Sequence, residues 1–266
     1  VLTCALPIFN LMTYWIQIEF EDLSFGDKRL EKRFIKSMNS FHLTPEGCIN
    51  RILKDEAAAR KATYRFFGNE KVKTEKILEC HTKMTAERMK KHKVVLSLND
   101  SSFFSFNTKP SILGLGNIGG QQGDGEETKG FIGHFALGIT EEGLPLGLQA
   151  VKMWSRAHES EWDKESERWV ETLEEAEKTY SEQTQMIYIA DREADQFEVL
   201  YDTHNRGHQF VIRSKHDRLI QGEDFYLSWH MEKQKVLFEI EIDLPEKKCK
   251  VAATMKRRCN SVFFLA

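Results

Sequence analysis

The sequence predicts a chain of mixed composition (α+β / α/β): a small helical module followed by a larger domain in which strands and helices alternate. Three observations point there. Between Phe25 and Lys93 apolar residues recur at helical spacing, and from residue 94 onward short β-branched runs alternate with helical stretches. The charge divides along the same line. Gly26 to Lys93 holds 18 Lys and Arg against 9 Asp and Glu, a balance of +9, which leaves −12 for the rest of a 266-residue chain whose net charge is −3. A basic module ahead of an acidic body suggests an anionic partner for the first and metal binding for the second. A basic helix face that simply stays in water is the alternative.

The apolar start, Val1 to Leu11, has neither an initiating methionine nor the basic flank of a signal peptide, so residues 1–13 are expected to be non-native or disordered. Met12 opens a segment that reads normally, and a helical module is expected over 14–80. Within it Leu30, Phe34 and Met38, then Ala58, Ala62 and Phe66, keep helical spacing, with Thr44-Pro45-Glu46-Gly47 as the break. A last helix, Glu75 to Lys91, leads into a second domain at 90–266.

That domain opens on Val94-Val95-Leu96-Ser97-Leu98, a strand that delivers Asn99 and Asp100 and is expected to stop there. A glycine-rich loop from Gly114 to Gly130 comes next. Phe131–Ile139 and Leu144–Trp154 then form a hairpin around Thr140-Glu141-Glu142-Gly143. Glu159 to Tyr180, with Trp162, Trp169, Val170 and Leu173 as its apolar positions, is a crossover helix. Met186–Ala190 is a strand ending at Asp191, Ala194–Asn205 a helix and Gln209–Arg213 a fifth strand. The order β-β-β-α-β-α-β corresponds to a ribonuclease-H-like architecture, in which the first and fourth strands lie side by side. Asp100 and Asp191 would then be neighbours. From about residue 217 two segments, Leu237–Leu244 and Lys250–Met255, alternate like strands.

Carboxylates at adjacent strand ends suit one chemistry. Phosphodiester transfer needs its attacking and leaving oxygens stabilised together, which paired divalent ions achieve, and Mg²⁺ takes oxygen ligands and keeps several waters. Asp100 and Asp191 fit as ligands. The strand pattern leaves a second reading open, in which Asp191 caps the following helix and Asp100 forms an Asx turn before Ser101 and Ser102.

Several segments carry a family resemblance. Asp191-Arg192-Glu193-Ala194-Asp195, followed by Phe210-Val211-Ile212-Arg213-Ser214-Lys215-His216, resembles the second-aspartate region of bacterial insertion-sequence transposases of the Asp-Asp-Glu type. Gly26-Asp27-Lys28-Arg29-Leu30 and Ala62-Thr63-Tyr64-Arg65-Phe66-Phe67 with Asn69 are similar to the DNA-binding domain of that family, and Lys164-Glu165-Ser166-Glu167-Arg168-Trp169 to its crossover helix. The matches fall in the family's order over about residues 14–220, and the resemblance implies that the alternating segments after about residue 217 belong to a partial β-rich insertion. The resemblance implies a cut-and-paste transposase. It implies Asp100 and Asp191 as catalytic residues holding Mg²⁺ or Mn²⁺, DNA transposition and recombination at inverted repeats, and a bacterial cytoplasmic enzyme that pairs into a homodimer on DNA when full length. Candidate DNA contacts are Arg29, Lys32, Arg33, Arg65 and Lys71, with Arg213, Lys215 and His216 near the metals. Arg192 and Glu193 are expected to orient the second aspartate.

One family feature is missing. The third ligand, a glutamate in a Tyr-x-x-Arg-x-x-x-Glu pattern, has no counterpart, and the sequence ends on the apolar run Val262 to Ala266. The expectation is therefore a C-terminally truncated transposase, inactive and poorly soluble alone. A non-catalytic DNA-binding competitor is the second reading, and a nuclease in which Glu193, Asp195, Glu239 or Glu241 replaces the glutamate is the third.

Other signals are discounted. Gly114-Leu115-Gly116-Asn117-Ile118-Gly119 matches GxGxxG but precedes a strand, so no dinucleotide or other organic cofactor is expected. His204 and His208 have Gly207 between them and no nearby third ligand. Cys4, Cys48, Cys80, Cys249 and Cys259 show no zinc or disulfide spacing, and no apolar stretch reaches membrane-spanning length.

Overall fold

A computed structural model of the chain describes residues 14–106, 112–121, 127–157, 165–220, 222 and 224–234. The start of the predicted crossover helix, both predicted strands of the insertion, and Glu239 and Glu241 lie outside the described residues. The chain forms two compact units, neither of them continuous in sequence. One comprises Val1–Val95, Phe135–Val151 and Glu174–Gln185, the other Leu96–His134, Lys152–Leu173 and Met186–Ala266.

The first unit contains α1 (14–19), α2 (Lys28–Leu43), α3 (Ile49–Ile52), α4 (Ala57–Phe67) and α5 (Thr74–Met89). Helix α2 starts where the Asp27 carboxylate accepts the Arg29 N–H at 2.9 Å, and it ends at Thr44, one residue before Pro45. Its apolar stripe buries Phe34 against Leu23, Phe25, Phe66 and Cys80. The Phe25 ring meets Phe34 and Phe66 edge-on at 6.3 and 5.7 Å, a favoured aromatic geometry. Ser37 and Thr63 share a buried hydroxyl hydrogen bond of 3.2 Å, so the polar positions facing each other between α2 and α4 are satisfied.

A buried carboxylate ties this unit together. Glu19, only 5% exposed, accepts two N–H groups from Arg88 at 2.6 and 2.9 Å and meets His81 Nδ1 at 2.6 Å. The Leu148 N–H donates to His81 Nε2 at 2.9 Å, which puts the ring proton on Nδ1, facing Glu19. One charge pair thereby links α1, α5 and the hairpin strand that carries Leu148.

The strands are β1 (Val94–Ser105), β2 (Gly116–Gln121), β3 (Glu127–Ile139), β4 (Pro145–Trp154), β5 (Gln185–Ala190) and β6 (Gln209–Ile212). They form one mixed sheet in the order β2-β3-β1-β5-β6, with β4 also paired to β3. Strands β2 and β3 are antiparallel, with Gly116 opposite Gly130, while β5 and β6 are parallel, with Ala190 opposite Ile212. Helix α6 (Glu165–Glu177), a 3₁₀ turn at Arg192–Ala194, α7 (Phe197–Asn205) and α8 (Leu227–Glu232) complete the described chain. In the second unit Trp169 and Leu173 of α6 pack with Met186, Tyr188, Val199, Phe210 and Ile212.

Three predicted boundaries are corrected. Strand β1 does not stop at Asp100 but continues to Ser105, because pairing to β3 holds it extended: the Phe106 N–H donates to Lys129 O at 2.9 Å, and Phe104 stacks on Phe131 at 4.7 Å. The predicted Gly114–Gly130 loop contains strand β2 and the start of β3. Its glycines answer to crowding, since a Cβ on Gly116 would lie 2.3 Å from Ala157 N and one on Gly130 2.0 Å from Phe104 O. The helix expected from Ala194 begins at Phe197, because Asp191 caps a 3₁₀ turn first. Helix α8 was not predicted.

His134 of β3 is fully buried, its Nδ1 3.0 Å from the Ser101 hydroxyl and its ring 4.1 Å from Trp169. Burial holds its pKa down to about 4. Unfolded, the ring takes a proton near pH 6.5, so its contribution to stability is present above that value and is lost as pH falls toward 4. The linkage predicts a loss of about 2 kcal/mol between pH 7 and pH 5, read from urea midpoints. In His134→Gln that pH dependence is expected to flatten, and an equally steep loss in the variant would show that another group is responsible.

Candidate nucleic-acid interface and carboxylate pair

Arg29 and Arg33 are four apart on α2, and Lys61 and Arg65 four apart on α4, so each pair shares one helix face. All four side chains line one groove of about 630 Å³, together with Asp27, Leu30, Ala58, Ala62, Phe66 and Asn69. Small alanines on the floor leave room for a partner between the cations. Arg29 forks onto Asp27, with Nε to Oδ1 at 3.1 Å and Nη2 to Oδ2 at 2.9 Å, and that hydrogen bonding holds the Asp27 pKa down to about 2. Asp27 therefore stays ionised and orients one of the four cations while the groove remains positive.

Three of the five residues predicted here as DNA contacts, Arg29, Arg33 and Arg65, line this groove, whereas Lys32 and Lys71 are exposed outside its lining. Lys61 was missed, although its spacing of four from Arg65 was visible in the sequence.

Asp100 lies on β1 and Asp191 directly follows β5, and these strands are neighbours in the sheet. The Gln185 N–H donates to Lys93 O at 2.7 Å, so the two strands begin at the same end and run the same way. Asp100 is the seventh residue after Lys93 and Asp191 the sixth after Gln185, which puts the two exposed carboxylates at corresponding heights. Asp191 does act as a cap, accepting the Glu193 N–H at 2.8 Å through Oδ1. That bond fixes the carboxylate without using Oδ2. Asp100 sits within a strand rather than in an Asx turn. Exposed, oxygen-only donors on adjacent strands fit Mg²⁺ or Mn²⁺, although no group of three potential ligands occurs among the described residues.

Asp195 is not available as a substitute ligand. Its side chain is fully buried, and it accepts the N–H groups of Lys215 and His216 and the Arg218 guanidinium. Burial alone would raise its pKa, but these donors outweigh it and hold the carboxyl below its usual range. Glu193 is exposed, and its backbone serves Asp191. Arg213, Lys215 and His216 are exposed just after β6, which pairs with β5. His204 is exposed while His208 is buried, and GxGxxG runs into β2.

Residues 12–72 match the transposase DNA-binding family, and the basic groove falls inside that range. Among solved structures, Endonuclease V from Bacillus subtilis is 12% identical over 58% of this chain and 61% of its own, with a TM-score of 0.27. The Mos1 strand transfer complex is 9% identical over 70% of this chain and 58% of its own, TM-score 0.26, and the Mos1 mariner paired end complex with Mn is 10% identical over 77% and 76%, TM-score 0.26. The chain thus spans less than two thirds of the first two. Likenesses this slight carry no inference. No helix among the described residues is long and apolar enough to cross a membrane.

Proposed function

We propose that this chain is part of a DNA transposase of the bacterial insertion-sequence, Asp-Asp-Glu type, which grips transposon ends through its helical segment, 14–80, and cuts them through a ribonuclease-H-like domain, 90–266. The observation that carries the reading is the coincidence of the transposase DNA-binding match with a groove lined by Arg29, Arg33, Lys61 and Arg65. Cations arrayed at i and i+4 on two helices suit the spaced phosphates of a duplex, and each phosphate neutralised releases counterions.

Replacing all four by alanine is expected to weaken duplex binding and to make the salt dependence of log K shallower by about 3 to 4, roughly 0.9 for each phosphate that is no longer neutralised. Fluorescence anisotropy over a salt series measures this, and an unchanged slope would remove the groove from the DNA interface.

Asp100 and Asp191 are the residues that would hold Mg²⁺ or Mn²⁺, which when bound supplies charge stabilisation to the attacking and leaving oxygens of a phosphodiester. Asp191 is orientated for that work by the Glu193 N–H. Arg213, Lys215 and His216, following the strand beside β5, would hold phosphates close to the carboxylates. A third carboxylate would complete the set, as in the family this chain resembles, and the enzyme works as a homodimer in the bacterial cytoplasm. One observation favours a second reading, a non-catalytic competitor for transposon ends: the basic groove is complete among the described residues whereas the carboxylate set has two members.

A further inference from the structure

Asp195 has no part in the reading above, yet it is heavily bonded. Its Oδ2 accepts the Lys215 N–H at 2.6 Å, the His216 N–H at 3.0 Å and the Ser214 hydroxyl at 3.5 Å. Its Oδ1 takes Arg218 Nη1, while Arg218 Nη2 donates back to the Asp195 carbonyl at 2.7 Å. Asp217 fixes the same stretch from the other side by accepting the Ser228 N–H at 2.9 Å and its hydroxyl at 2.7 Å. The Leu227 N–H adds a bond to Arg218 O at 2.8 Å.

A segment that follows a strand and carries Arg213, Lys215 and His216 would ordinarily sample many conformations, and ordering it on a ligand would cost entropy. Here two successive backbone N–H groups, of Lys215 and His216, are committed to a buried carboxylate, while the side chains of both residues and of Arg213 are exposed. We infer that Asp195 is a positioning residue: with Arg218 it pre-forms residues 214–218 as a strap that presents Arg213, Lys215 and His216 to the phosphates of the DNA strand lying at Asp191. This rests on the DNA reading proposed above. It goes beyond that reading by assigning a negatively charged residue to phosphate binding.

The sign of the effect makes the inference testable. Asp195→Asn nearly keeps the shape but removes a negative charge near Arg213, Lys215 and Arg218, so Coulomb attraction alone predicts tighter DNA binding with a steeper salt slope. The asparagine keeps one accepting oxygen, but its NH₂ would face either the Arg218 guanidinium or the backbone N–H groups, donor against donor. The positioning role predicts the reverse: about tenfold weaker binding at moderate salt and a slope shallower by about 1 to 2. A structural role would weaken binding through every cation, whereas positioning acts only through the strap. In Arg213→Ala/Lys215→Ala/His216→Ala, adding Asp195→Asn should therefore cause no further loss, while adding Arg33→Ala/Arg65→Ala should cause its full loss.

The experiment is duplex binding by anisotropy across a salt series for these variants. Weaker binding that vanishes in the strap-deleted background supports the inference, and tighter, unchanged or additive binding overturns it. If Asp195→Asn does not fold, Arg218→Lys, which keeps the charge but loses the fork, provides the same comparison. If Arg33→Ala/Arg65→Ala also leaves the slope unchanged, the DNA reading itself fails; if only the Asp195 result fails, that reading stands.

Discussion

Replacing either Asp100 or Asp191 by alanine is expected to lower Mg²⁺- or Mn²⁺-dependent cleavage of inverted-repeat DNA by about 10³-fold or more, the rate equivalent of losing several kcal/mol of charge stabilisation. The measurement uses a chain extended to include the third carboxylate, with the 266-residue chain beside it. Duplex affinity should hardly change, because the cations of the groove belong to residues 12–72 and neither aspartate does. Loss of cleavage with retained binding is thus the signature of a metal ligand. At Asp191 the Glu193 N–H fixes one oxygen at 2.8 Å and so orients the other. Undiminished cleavage in either variant would remove that aspartate from the site. Cleavage by the 266-residue chain alone would favour the nuclease in which a carboxylate of this chain, such as Glu193, Glu239 or Glu241, serves as third ligand.

Phe66→Ala is expected to destabilise the protein by about 3 to 5 kcal/mol, with Phe34→Ala similar, as for other buried phenylalanines cut back to alanine. Each is only 1% exposed, and both pack against Phe25, so the vacated volume lies between α2 and α4 rather than at a surface able to collapse. With typical stabilities of about 5–15 kcal/mol, such a loss removes a large part of the total. The buried Ser37–Thr63 bond crosses the same contact and would be strained by any relaxation. Since Phe66 also floors the basic groove, DNA affinity should fall with stability. Urea unfolding reads the first effect, and a change below about 1 kcal/mol would show that the site repacks.

The helical segment was legible because Phe34, Met38, Ala62 and Phe66 repeat at the helical period and Pro45 interrupts them. The β3–β4 hairpin was legible for a similar reason: Gly143, at φ +83°, occupies a turn position that favours glycine. The length of β1 was not, because Asp100-Ser101-Ser102 reads as punctuation, and only pairing with β3 holds those polar residues extended. The glycines at 116 and 130 misled in the opposite sense. Local composition marks them as loop, whereas their cause is the backbone of residues 157 and 104, distant in sequence. At the proposed site, strand position pointed to Asp100 and Asp191, and a family resemblance with basic helix faces pointed to three of the groove cations. The role of Asp195 was invisible, because its partners lie 20 to 23 residues away and two of them are backbone amides, which any residue supplies.

The Glu19 knot changes what can be cut from this chain. A carboxylate near its beginning holds Arg88 and His81, and through His81 the amide of Leu148 on β4. Helix α5 and the hairpin therefore depend on the same acidic group as α1. Trimming the first turns would leave Arg88 and His81, both part-buried, without their carboxylate and is expected to loosen β4 along with the helices. The helical segment thus shares one compact unit with a piece of sheet that the sequence places some 60 residues downstream of α5, and the two are expected to unfold together.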